Sequence, residues 1–414
     1  MNGAAIMEAL MAPEGRDDPY RLYAEARRHG PVIEAWPGVL LVTGYAEVNE
    51  VLRNPAFGHV DYDRMAEISP ESAAMPSLAV IARSVLDANP PSHKRVRSLM
   101  SAVFTPRRTA GLEPAIKATV GRLLDAVAAA GRAGAPVDFM AEFAFALPVS
   151  VICELIGVPE ADRAPIRGLS RELTTAFDMS VDHAVLGPAN EAALTLAEYF
   201  TGLVAARRAE PRDDLAGVLV REAGPDGAGL TEEELISNLI FLLVAGFETT
   251  TNLFGNGLAL LFEQPALAAG LRSGGLPCAD FVEEVLRFDS PVQFTSRVAL
   301  TDGLRVGGKR LPCEPGAEAL LLVGAANRDP KRFADADRFD PLRVDNAPLT
   351  FGAGAHYCLG AALARLEVNT ALPMLLDRFP DLAPAGPPVR GSRYNLRGYE
   401  ELPVYVSGQP DEAR

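Results

Sequence analysis

From Thr231 to about Phe262 the chain contains no proline, and between Leu239 and Gly246 it is apolar on nearly every side. A helix of that span is on the order of 48 Å long. Being apolar all round, it is expected to run through a core and not along a surface. Its start is marked by Thr231-Glu232-Glu233-Glu234, a capping box with Thr231 as N-cap and Glu234 reaching back. The apolar run is too short, and its flanks too polar, to cross a bilayer. With 414 residues, 48% of them hydrophobic, a large core around this axis is possible.

Midway along this axis lies Ala245-Gly246-Phe247-Glu248-Thr249-Thr250. Glycine costs helix stability, and a buried carboxylate must find partners or stay protonated. Threonine can bond back to the preceding turn and bend the helix. A kink with an exposed Glu248 and a functional site explain these residues equally well.

The second unusual stretch is Phe351-Gly352-Ala353-Gly354-Ala355-His356-Tyr357-Cys358-Leu359-Gly360, followed by the strong helix formers Ala361 to Glu367. Cys358 therefore sits where helix N-terminal amides favour a thiolate. Glycines around it let the backbone approach a bulky flat ligand. A thiolate on such a backbone suits an axial haem ligand. A buried structural cysteine is the plainer reading of this loop. A phosphate loop is excluded, since no Gly-Lys-Ser/Thr follows.

The four cysteines, Cys153, Cys278, Cys313 and Cys358, form neither a zinc motif nor a Cys-x-x-Cys-His attachment site, so any haem is expected to be non-covalent. Asp plus Glu outnumber Lys plus Arg by 54 to 39, a net charge of −15. This argues for a soluble protein and against nucleic-acid or anionic-membrane binding. Met1 to Gly15 holds Glu8 and Glu14 and no long apolar run. It is read as neither signal peptide nor anchor, and the protein as cytoplasmic.

In order along the chain, a helix is expected from Asp18 to His29, then a hairpin of residues 31–36 and 39–43 around Pro37-Gly38, then a helix over 45–53. Residues 55–87 lack a sustained period and read as irregular, either a surface loop or a wall over a pocket. His93 and Arg97, four apart, share one helix face. Residues 112–130 and 143–156 read as helices, and 163–208 as two helices broken near Gly187-Pro188, with Leu173, Phe177 and Met179 as a candidate roof. Pro225 to Gly229 reads as a turn, Phe281 to Phe288 as a helix, and residues 304–311 as a hairpin.

Taken together, Phe351…Gly354…His356…Cys358…Gly360, Ala245-Gly246-Phe247-Glu248-Thr249, Glu284-x-x-Arg287, His93-x-x-x-Arg97 and Asn327-Arg328-Asp329-Pro330 resemble the motifs of the cytochrome P450 family, over most of the chain. The resemblance implies a mainly α fold with a smaller β-rich part, residues 1–414 forming a single cytochrome P450 domain. It implies a haem b with Cys358 as the thiolate ligand to iron. Ala245, Phe351, Gly352 and Gly360 would lie along that haem, and His93, Arg97, Arg297 and His356 would hold its propionates. Gly246 would open a groove beside the iron, Thr249 would donate a hydrogen bond to dioxygen, and Glu248 would relay protons. Glu284, Arg287 and Arg343 would form a buried structural trio. Leu78, Ile81, Phe177, Val292, Phe294 and Thr295 would line the substrate pocket. Relatives often carry a histidine three residues before Phe351, where Pro348 stands here.

The function implied is monooxygenation of an apolar small molecule by hydroxylation or epoxidation, with electrons from NAD(P)H through a ferredoxin and its reductase. Arg107, Arg108 and Arg365 are either a docking patch for that ferredoxin or ordinary surface arginines. Composition and soluble short form resemble bacterial members that tailor secondary metabolites, so a polyketide or macrolide is the first expectation for substrate. A fatty acid, a terpenoid or a carrier-bound amino acid follows. No nucleic-acid or membrane partner is expected, and a monomer is. A peroxide-driven oxygenase is disfavoured by the intact Glu248-Thr249 pair, and a haem-based sensor or ligand carrier is the non-enzymatic alternative.

Overall fold

The computed structural model describes residues 1–178, 183–222, 229–310 and 316–406. Met179, Cys313 and most of the expected turn over residues 225–229 lie outside these. Backbone contacts gather the chain into two compact units, Met1–Phe57 with Ala110–Pro148 and Thr249–Arg414, and Gly58–Thr109 with Val149–Glu248. The central helix, Glu232–Glu263, is one of the elements in which the chain passes from one to the other.

The first unit holds the β structure. The expected hairpin forms from Val32–Trp36 and Val39–Val42, antiparallel with an irregularity between Glu34 and Trp36. Val39–Val42 pairs in parallel with Glu318–Leu321, and Thr295–Ala299 adds antiparallel on the far side of that strand. Phe57–Gly58, in which the second unit begins, is the fifth strand of this sheet. The alternation of a strand separates two clusters. Leu40 and Val42 pack with Val48, Leu52 and Leu349, whereas Leu41 packs with Ile6, Leu10 and Tyr23. The N-terminal segment, for which the sequence predicts no helix, is helical over Gly3–Met11 and closes the second cluster. The same unit holds the helices Glu113–Ala130, Cys278–Phe288 and Ala361–Arg378, the last of which packs against the other two.

The second unit is helical. Residues 55–87, expected to be irregular, contain three short helices, Tyr62–Ile68, Pro70–Ala73 and Pro76–Ala82. Each is too short to show a helical period, and two of them open with proline at the first turn, where its missing N–H costs nothing. Residues 163–208 form two helices as expected, Arg163–Leu173 and Gly187–Ala209, and Gly187-Pro188 opens the second. The sequence reading took the apolar run of the central helix as too short to span a bilayer, but among the described residues this helix alone is long and apolar enough to do so, and 67% of its most apolar window is buried within the protein.

Candidate active site

The cysteine loop is fixed from both ends. Cys358 is half-buried, between a 3-10 turn at Gly354–His356 and the helix Ala361–Arg378. Its backbone N–H donates to the carbonyl of Phe351 at 2.9 Å, and that of Gly352 donates to Leu349 at 2.8 Å. Gly352 and Gly354 both have φ of +70°, a region costly for other residues. A side chain on Gly354 would also begin 2.4 Å from the carbonyl oxygen of Leu52. At Gly352 nothing lies nearer than 3.9 Å to where a Cβ would be, so the backbone presents an open side there.

Behind the loop, fully buried Asn327 accepts the N–H of Leu349 at 2.7 Å and donates to Thr350 Oγ1 at 3.0 Å. Thr350 in turn donates to the carbonyl of Leu286 at 2.5 Å. These bonds tie the entry of the loop to the helix Cys278–Phe288. Sequence reading singled out Asn327 as part of a motif but assigned it no task.

The same helix carries Glu284 and Arg287, both with no exposed surface. They make a two-pronged pair at 2.7 and 2.8 Å. Arg287 donates further to the carbonyls of Asn327, Ala336 and Arg338. Glu284 also accepts from the N–H of Asp340 at 2.7 Å and Asn346 Nδ2 at 3.0 Å, with Arg343 Nε at 3.4 Å. A buried pair of this kind persists because nearly every donor and acceptor is satisfied.

Other expected residues in this unit have distinct settings. Arg297, 5% exposed, donates to the carbonyl of Ser296 at 2.7 Å. Val292 forms a backbone bridge with Leu396, and Thr295 begins the strand beside it. Phe294, expected to line the substrate pocket, packs against the cluster of Ile6, Leu10 and Tyr23. Arg365 is bonded to both oxygens of Glu283, and its guanidinium stands 4.5 Å from the Phe351 ring centroid. Its charge is thus paired with the helix Cys278–Phe288 while its guanidinium lies by the loop.

In the second unit the capping box is present as the sequence predicts. The Thr231 N–H donates to Glu234 at 2.9 Å, and the Glu234 N–H donates to Thr231 Oγ1 at 3.1 Å. Arg95 clamps the same carboxylate with bonds of 2.5 and 3.0 Å. Burial pushes the Glu234 carboxyl up, but Arg95 and Thr231 outweigh it and hold it below its ordinary value. Arg95 lies in Ser92–Ser101, the helix that also carries buried His93 and half-buried Arg97, so the clamp positions that pair.

Between Leu235 and Leu258 of the central helix every residue is buried except Phe241, Ala245, Gly246, Glu248 and Thr249. Phe241, Ala245, Glu248 and Thr249 follow i, i+4, i+7, i+8 spacing, so one half-exposed stripe carries the carboxylate and the hydroxyl together. Phe177 stacks on Phe241 with ring centroids 6.3 Å apart. Gly246 is itself half-exposed, and its missing side chain has a second consequence. The position of its missing side chain faces Ile152 at 3.1 Å, so Gly246 allows close helix packing. Ile81 is buried and Leu78 half-buried in Pro76–Ala82. Sequence reading missed what anchors that helix: Asn190 accepts from Ser77 N and Oγ at 3.1 and 2.7 Å, and fully buried Asn238 accepts from Val85 at 2.8 Å.

Comparison with known proteins agrees with these features. Residues 278–387 match the family described as Cytochrome P450. Cytochrome P450 107B1 of Saccharopolyspora erythraea is 39% identical over 90% of this chain and 89% of its own length. The 6-deoxyerythronolide B hydroxylase of the same organism is 35% identical over 94% and 96%. A crystal structure of P450BioI in complex with hexadec-9Z-enoic acid ligated acyl carrier protein superposes with a TM-score of 0.87 at 35% identity, covering 95% of this chain and all of that one.

Proposed function

The chain belongs to the cytochrome P450 family of haem-thiolate monooxygenases, and on that premise we propose that it inserts one oxygen atom of dioxygen into an apolar small molecule, by hydroxylation or epoxidation, as a tailoring step in bacterial secondary metabolism. The observation that carries this reading is the half-exposed stripe within the mainly buried span Leu235–Leu258 of the central helix, on which Glu248 and Thr249 stand together. Reduction of dioxygen to one inserted atom and one water needs two protons, and a hydroxyl beside a titratable carboxylate supplies what that proton transfer requires.

The residues present fit a haem. Cys358 is a half-buried thiol at a helix start, beside a loop backbone that is open at Gly352. Cys358 would be the iron ligand, and Ala245, Phe351, Gly352 and Gly360 would flank the ring. His93, Arg97, Arg297 and His356 would bind its propionates. Bound there, the haem supplies O–O cleavage, which thiolate ligation favours. The protein's own part is to hold the thiolate in place, to keep bulk water from the stripe, and to pass protons from Glu248 to the Thr249 hydroxyl. Leu78, Ile81, Phe177, Val292 and Thr295 would contact substrate. Residues 1–414 would act as one cytoplasmic, monomeric domain, taking electrons from a ferredoxin and its reductase.

A polyketide or macrolide is the substrate class we favour, supported by the 35% identity to an enzyme named as a 6-deoxyerythronolide B hydroxylase. The test is titration of the ferric holoprotein with a macrolide aglycone, a linear polyketide, a fatty acid and a terpenoid. A saturable shift of the haem absorption with a polyketide, followed by turnover with a ferredoxin system, is expected. A shift only with another class would replace the substrate assignment, and protein that takes up no haem would end the reading.

A further inference from the structure

Arg16, Arg390, Arg393 and Arg397 line one cleft of the first unit together with Gln293 and Phe294, and among the described residues no Asp or Glu lines it. In a chain with 15 more acidic than basic residues this is a local reversal of charge. Directly behind the cleft lies one carboxylate, Asp289. Arg397 Nε bonds it at 2.6 Å, Arg390 Nη1 at 3.4 Å, and the Tyr20 hydroxyl at 2.8 Å. Burial pushes the Asp289 carboxyl up, but the two arginines prevail and hold it at about 2, so it remains charged. Arg16 has only neutral partners. It donates to the carbonyl of Ser392 and stands 4.9 Å from the Tyr394 ring centroid, with no described carboxylate in ion-pair reach. Arg16, Arg390 and Arg397 against Asp289 leave two positive charges in excess.

We propose that this cleft is an oxyanion subsite, and that the substrate carries a carboxylate or phosphate at the end held there. Guanidinium forks match the planar oxygens of both groups and stay charged at every physiological pH. The cleft adjoins the candidate substrate segment, because Gln293 and Phe294 line it and the flanking residues are Val292 and Thr295. The inference rests on the monooxygenase reading above and narrows its substrate to an apolar body with an anionic end. That anion could be the carboxylate of a free acid or the phosphate of a carrier's prosthetic arm.

The test is calorimetric titration of the holoprotein, with the haem absorption followed in parallel, using dodecanoate, dodecyl phosphate and methyl dodecanoate at low salt. Binding of at least one anion about tenfold tighter than the ester is expected, the scale of a charge-assisted hydrogen bond. Tighter dodecanoate indicates a free acid, and tighter dodecyl phosphate a carrier arm. In Arg16→Gln the ratio of anion to ester affinity should fall towards one, and Arg16→Lys should restore part of it. Equal affinities for anions and ester in the unmutated protein would overturn the proposal without any variant having to fold. An anion preference with no haem shift would leave the subsite standing and remove the substrate reading on which its role depends.

Discussion

The backbone N–H of Cys358 donates to the carbonyl oxygen of Phe351 at 2.9 Å, closing the loop that presents the cysteine. That closure depends on two left-handed glycines inside it and on Asn327 and Thr350 beneath it. The thiol is therefore aimed by the loop's own backbone and by the helix behind it.

Gly354→Ala tests the loop. The substitution meets both a φ of +70° and the Leu52 carbonyl at 2.4 Å. Strain of this kind costs roughly 1–3 kcal/mol. A thermal midpoint several degrees lower, with reduced haem content in the purified protein, is expected. Unchanged melting and haem content would show that the loop does not need this backbone.

Glu284→Gln leaves the buried Arg287 charge without its counter-ion. Breaking a buried pair by removing one partner costs about 3–5 kcal/mol. Urea denaturation should show that loss, and Glu284→Gln with Arg287→Met should recover part of it. A loss below about 1 kcal/mol, the scale of an exposed pair, would contradict the burial seen here.

Glu367 is 2% exposed, its Oε2 has no hydrogen-bond partner among the described residues, and burial raises its carboxyl well above the ordinary 4.5. The folded state then binds this proton more strongly than the unfolded one. The stability from this group is full below pH 4.5 and is lost as pH rises towards the folded value. Glu367→Gln should gain stability relative to the unmutated protein as pH is taken from 5 to 8, read from urea midpoints. A difference that stays flat with pH would mean that the carboxyl titrates normally.

Thr249→Ala removes the hydroxyl from the exposed stripe while keeping the helix. Loss of a positioned proton donor costs on the order of 10² in rate. Product formed per NAD(P)H consumed should fall by a comparable factor, with haem content unchanged. An unaltered ratio would take Thr249 out of proton delivery.

The sequence by itself determined the long central helix and its capping box, the N-terminal hairpin and the helix after Cys358. These follow from short-range rules: an apolar run without breakers, a cap three residues from its partner, a proline-glycine turn between alternating strands. It also displayed the side chains from which the site is proposed, because a cysteine among glycines and a carboxylate beside threonines in an apolar helix stand out locally. Only the tertiary structure decided which of those side chains are held, and by what. Asn327 beneath the loop entry, Arg95 on the capping glutamate, Asn238 under residues 76–87 and Ile152 against Gly246 all act across long sequence separations. A polar residue looks the same in sequence whether it is solvated or buried against a backbone group far along the chain. The cleft of arginines shows this most plainly. Arg16 and Arg397 lie 381 residues apart, and only folding brings their charges to one place.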